Sequence, residues 1–158
     1  MSKAMASGIH FGLTSGVITT LGLMVGLYSG THSTLAVIGG IITIAVADAM
    51  SDALGIHISK EAENQHSHRD VWIATLWTFL AKFFMTSLFI IPVLLLSLDM
   101  AIMVSVVFGL TVLAVLSYII AKEQQQSPLP SIGEHVGIAC LVIVMTYYIG
   151  VWVAHTFS

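Results

Sequence analysis

The run from Leu35 to Ala47 carries no charged side chain, and apolar stretches of about 20 residues recur along the rest of the chain. A helix rises about 1.5 Å per residue, so each stretch can cross a hydrocarbon core about 30 Å thick. Charged residues make up 8% of the sequence, against about 25% in a soluble globular domain. Lipid offers no partner to an open backbone group, which leaves helices as the natural spanning form. The expected fold is therefore an all-α integral membrane protein. Its 158 residues form a single transmembrane domain, 1–158, with no room for a soluble domain.

Five spans are expected, at about 8–28, 33–59, 71–98, 100–121 and 132–155, the second staying helical to about Ala62. Ser29-Gly30-Thr31-His32 reads as a turn, Glu63 to Asp70 as a polar loop, Asp99 as a tight turn, and Lys122 to Pro130 as a polar loop. Lys3, Lys60, Arg69 and Lys122 then fall on one side of the membrane. By the positive-inside rule that side is cytoplasmic, with the N-terminus inside and the C-terminus outside. The first apolar stretch is too long and too rich in glycine for a signal peptide. A net charge of -3 gives no reason to expect a nucleic-acid partner, and the single cysteine, Cys140, leaves no internal disulfide. No nucleophile–base grouping, phosphate loop or organic-cofactor motif points to an enzyme.

The second span ends its uncharged run with two aspartates, Asp48 and Asp52. Each costs roughly 2.5–3.5 kcal/mol at the centre of a membrane helix. Asp48, Asp52, Gly55 and Ser59 form one helical stripe, with Ser51 beside it, which must face protein or a watery path. On span one, Gly12, Ser15 and Thr19 share a face. Counting rise from Gly8, Ser59 and Asp70 puts Ser15 and Asp52 about 10 Å deep, Asp48 about 16 Å and Lys82 about 18 Å. The expected pairing is Asp48 with Lys82, leaving Asp52 as the freer carboxylate; the alternative for Lys82 is snorkelling to an interface. Pro92 should bend or break span three. Gly8, Gly12 and Gly16, and then Gly22, Gly26 and Gly30, recur every fourth residue on span one. That spacing suits close helix packing, and a homodimer is expected through it.

The polar loop gathers Glu61, Glu63, His66, His68 and Asp70, with His57 just before. Imidazole and carboxylate donors suit a divalent ion, though an ordinary solvated loop explains them too. His10, His32, His135 and His155 sit near span ends, where interfacial or hydrogen-bonding roles are expected.

The stretch Ala47-Asp48-Ala49-Met50-Ser51-Asp52-Ala53-Leu54-Gly55-Ile56-His57-Ile58-Ser59 resembles the ADAxSMxxGxYLS signature of the vacuolar iron transporter family, which includes the yeast vacuolar transporter and nodulin-like plant proteins. Gly12-Leu13-Thr14-Ser15-Gly16-Val17-Ile18-Thr19 is similar to its GxxDGxxT, Pro92 to its third-span proline, and Thr146-Tyr147-Tyr148-Ile149-Gly150 to its TYLxG ending. The resemblance implies a five-helix homodimer moving Fe²⁺, and often Mn²⁺, out of the cytoplasm with proton exchange. The family's metal-binding span-one aspartate and span-two methionine map onto Ser15 and Asp52. The family's acidic residue after the glycine is Ile56 here, and its cytoplasmic helical bundle is absent from the short loop. Hard carboxylate and hydroxyl donors in place of a thioether shift preference toward Mn²⁺ or Mg²⁺.

The expected function is a divalent metal transporter, with Fe²⁺ or Mn²⁺ as cargo and Asp48, Asp52, Ser15, Thr19, Met50, Glu61, Glu63, His66 and His68 as candidate ligands. Lys82 is the ion-pair or coupling residue. The expected setting is the lipid bilayer of a prokaryotic plasma membrane, with an organelle membrane as the other option. The alternatives are a non-transporting assembly or scaffold protein of the same fold, and a transporter or channel for something other than a metal.

Overall fold

The computed structural model describes residues 2–63 and 67–157. Six helices follow one another: α1 Lys3–Thr31, α2 Thr34–Ala62, α3 His68–Leu88, α4 Ile90–Leu95, α5 Leu98–Glu123 and α6 Pro128–Phe157. There is no strand among the described residues. The third span is α3 and α4 together, so five helical segments are long and apolar enough to cross a membrane. Each differs by a few residues from the expected bounds.

Local sequence sets the helix ends. Ser2, Ser33 and Ser67 each sit one residue before a helix and accept a hydrogen bond from a backbone N–H of its first turn, at 3.2 Å in every case. Ser67 also donates to the Asp70 carboxylate at 2.7 Å, so Ser67 and Asp70 close the start of α3 together. At the other end of α1 the helix carries on through Ser29, Gly30 and Thr31, and the expected four-residue turn shrinks to His32 and Ser33. His32 takes a left-handed φ of 49° and gives its N–H to the Tyr28 carbonyl, stopping the helix abruptly. Asp99, expected in a turn, stands in the first turn of α5 and accepts a hydrogen bond from the Tyr28 hydroxyl at 2.8 Å. Pro128 opens α6, where a missing N–H costs nothing.

Pro92 does break the third span, but the interruption falls at Phe89, three residues earlier. The ring of a proline displaces the carbonyl four residues before it, here that of Leu88, and removes the bond that would hold it. The Phe89 N–H turns to Thr86 instead.

The bundle is arranged around α1, which packs against α2, α3, α5 and α6. Its glycines are the reason. A side chain at Gly12 would meet the Thr78 carbonyl at 2.6 Å and the Lys82 nitrogen at 3.1 Å, and one at Gly8 would strike the Ala74 carbonyl. These two and Gly16 let α3 lie directly on α1. Gly22, Gly26 and Gly30 do the same for α6, at Val142, Thr146 and Gly150. Both glycine rows thus meet helices of the same chain, while Gly22, Gly26 and Gly30 also line an open groove with Leu23 and Ile149. The apolar core above and around them joins Val17, Leu21 and Met24 to Ile41, Phe89, Leu113 and Ala139.

Opposite ends of the bundle differ in charge. The ring of His10 early in α1 lies 3.8 Å from Glu123 at the end of α5, and His57 late in α2 meets Thr75 early in α3 at 3.0 Å. That end holds Lys3, Lys60, Arg69 and Lys122, and only Lys82 lies elsewhere.

Candidate functional site

Asp48 stands midway along α2, 14 residues from Thr34 and 14 from Ala62. Lys82 is 14 residues into the third span. Two opposite charges therefore meet at the centre of two membrane-length helices. The Lys82 side chain is 0% exposed, its methylene stem enclosed where α1 and α3 touch. It does not snorkel.

The expected pairing is Lys82 with Asp48 alone; the ammonium in fact engages both carboxylates. Its Nζ lies 2.5 Å from Oδ2 of Asp48 and 2.5 Å from Oδ2 of Asp52. It also donates to the Ser15 hydroxyl at 2.9 Å. Ser15 in turn donates to Asp52 Oδ2 at 2.6 Å. Asp52 is therefore the most tightly held carboxylate, not the freer one. The reason is geometric. Asp48 and Asp52 sit one turn apart on the same face, and a lysine stem placed between them reaches either level.

The two ion pairs differ in kind. Asp52 Oδ2 receives aligned hydrogen bonds from Lys82 and Ser15. Asp48 Oδ2 is buried and close to Nζ but lies off the line of a hydrogen bond. Its attraction to Lys82 is charge–charge. The side chains of Asp48 and Asp52 keep 31% and 21% of their surface exposed, although Asp48 Oδ2 itself is buried; the Lys82 side chain is fully enclosed.

A row of buried hydroxyls flanks the charges. Thr78, Lys82 and Thr86 recur every fourth residue on α3, all fully buried. Thr86 lies 3.1 Å from Thr20 of α1, which donates to the Gly16 carbonyl. Thr78 donates to the Ala74 carbonyl. Hydroxyls can be buried this way because a helix carbonyl one turn back satisfies them. The spacing of Thr78, Lys82 and Thr86 is visible in the sequence, but only the glycine contact shows which helix they face.

Other candidate ligands lie apart from this cluster. Met50 points away from the aspartates, 58% exposed, and lines an apolar groove of about 370 Å³ with His57, Trp72, Thr75 and Phe79. It stands two residues from each aspartate, about 200° around the helix, so its thioether cannot join them. Thr19 spends its hydroxyl proton on the Ser15 carbonyl at 2.8 Å. A methyl group added at Gly55 would meet nothing within 4 Å, and Ser59 is exposed, so the polar stripe faces protein only at Asp48 and Asp52. Glu61 and Glu63 are exposed at the end of α2, and His68 accepts a hydrogen bond from the Trp72 indole at 3.1 Å. His66 lies outside the described residues. Among the described residues no three His, Cys, Asp or Glu side chains converge as a metal cage. His135 meets Ser117 at 2.8 Å, as a hydrogen-bonding histidine should.

Chemically, the cluster is a pair of carboxylates and a hydroxyl gathered around one positive charge. Three oxygens from α1 and α2 surround a cation that the protein itself supplies from α3. No family model, curated protein or solved structure matches this chain.

Proposed function

We propose that this chain is a secondary transporter for a divalent cation, with Fe²⁺ or Mn²⁺ as cargo moved out of the cytoplasm. The observation that carries this reading is the meeting of Asp48, Asp52 and Ser15 around a cationic group at mid-span. Charges at that depth are costly and mark ion pathways in membrane proteins. Oxygen donors select hard ions, so Mn²⁺ fits the cluster better than a soft ion and Fe²⁺ remains within its range. Outward movement is what the family resemblance implies, and the positive-inside rule places the basic end of the bundle on the cytoplasmic side. Proteoliposome uptake of Fe²⁺, Mn²⁺ and Mg²⁺ tests it. Uptake of at least one ion above empty vesicles is expected; equal, background-level uptake of all three would end this reading.

One observation favours a non-transporting membrane protein instead. Lys82 already compensates both carboxylates, as a structural ion cluster holding α1, α2 and α3 together would. Such a protein gives background uptake and loses only folding stability when the cluster is changed.

A further inference from the structure

Lys82 has a feature that an ordinary helix-tethering ion pair does not need. Its ammonium stands among three oxygens, Asp48 Oδ2, Asp52 Oδ2 and Ser15 Oγ, at 2.5, 2.5 and 2.9 Å. That is the place a bound cation must take to touch both carboxylates. The stem is 0% exposed and the α1 glycines fix the backbone behind it, with Gly12 against the Lys82 nitrogen and Gly16 against its carbonyl. The aspartate side chains, by contrast, remain partly open. A solute cation that reaches these oxygens must come from the side away from α3, past the exposed part of the two aspartate side chains, and it meets an ammonium already there. Two positive ions at one set of oxygens repel strongly in a poorly screened interior.

We propose that the Lys82 ammonium is a resident substitute for the cargo. It holds the cargo position when the carrier is empty, competes with the incoming cation for Asp48 and Asp52, and keeps the carboxylates compensated while the empty carrier changes conformation. This rests on the transporter reading above. An empty site with two bare carboxylates would be costly to carry through a closed, lipid-flanked state. The tethered cation removes that cost, so net transport proceeds without a second ion on the return step. The proton exchange implied by the family resemblance is then not required for turnover.

The test separates binding, exchange and net flux, with Mn²⁺ as the probe. Purified wild type, Lys82→Met and Lys82→Arg are compared by Mn²⁺ titration in detergent, by net Mn²⁺ uptake into empty proteoliposomes, and by exchange of labelled Mn²⁺ into vesicles preloaded with Mn²⁺. Exchange needs only the loaded carrier to reorient, whereas net uptake needs the empty one. Removing the competitor should tighten Mn²⁺ binding by at least about tenfold. Lys82→Met should also keep exchange and lose net uptake by about tenfold or more, while Lys82→Arg keeps the wild-type ratio of the two. Lys82→Gln, which keeps a polar group beside Ser15, replaces Lys82→Met if the latter does not fold. Unchanged or weaker Mn²⁺ binding in the neutral variant, or net uptake that falls no more than exchange, overturns the proposal. Wild type with neither exchange nor net uptake removes the transporter reading itself.

Discussion

Lys82 and Asp52 meet across the α2–α3 contact with 2.5 Å between Nζ and Oδ2, although counting helical rise puts Lys82 level with Asp48. The ammonium is drawn to the carboxylate that also holds Ser15, because Ser15 donates one hydrogen bond to Asp52 and accepts another from Lys82. Three helices are joined through four polar side chains, and the joint lies where lipid surrounds the bundle.

Lys82→Met should lower stability. Breaking a buried ion pair by removing one partner costs about 3–5 kcal/mol. The lower end applies here, because the two aspartates left behind are 31% and 21% exposed rather than fully enclosed. Neutralising all three charges, as Asp48→Asn, Asp52→Asn and Lys82→Met together, should recover most of that loss. Unfolding midpoints in detergent check this. A triple variant no more stable than the single one contradicts the charge account.

Gly12→Val should separate α1 from α3. The added Cβ meets Thr78 O at 2.6 Å and Lys82 N at 3.1 Å, both backbone atoms that cannot turn aside. Overpacking of this kind costs about 1–3 kcal/mol. Gly55→Ala is the matched comparison, since nothing lies within 4 Å of that site. Thermal denaturation should show a clear fall for the first and none for the second; equal midpoints would mean that the close approach does not hold α3 in place.

Met50→Leu should leave Mn²⁺ binding within about twofold of wild type. The thioether is 58% exposed and faces a groove with Trp72 and Phe79 rather than the carboxylates, and the swap preserves volume. A large loss of affinity would return sulfur to the site and require α2 to rotate from its present orientation.

Much of the architecture is legible in the chain. Uncharged runs locate five spans, and the aspartate spacing with the depth of Lys82 identifies the helices that must meet. Rise alone cannot decide between Asp48 and Asp52, because a lysine stem is longer than the 5.4 Å that separates successive turns of one face. The glycine rows are visible too, but spacing does not say whether the partner helix belongs to the same chain or another. Within the chain they pack against α3 and α6. Met50 is misplaced for a different reason. It lies beside the aspartates in the sequence, but the helical angle between Met50 and Asp52 already places them on different faces. The Tyr28–Asp99 bond leaves no sequence signal, since 71 residues separate its ends.

That bond joins the ends of α1 and α5 and sits in an exposed place, so Tyr28→Phe should cost no more than about 0.5–1 kcal/mol. A small drop in the unfolding midpoint with Mn²⁺ uptake unchanged is expected. Loss of uptake would link this end of the bundle to the transport cycle.

The most direct measurement is Mn²⁺ uptake by Asp52→Asn beside wild type in proteoliposomes of equal protein content. Asp52 accepts from both Lys82 and Ser15 and is the carboxylate most central to the cluster. If that cluster is the cation path, wild type moves Mn²⁺ and Asp52→Asn loses uptake by about tenfold or more while remaining folded, since a neutral amide forfeits a full unit of charge at the ion. Uptake by Asp52→Asn equal to that of wild type would contradict the account.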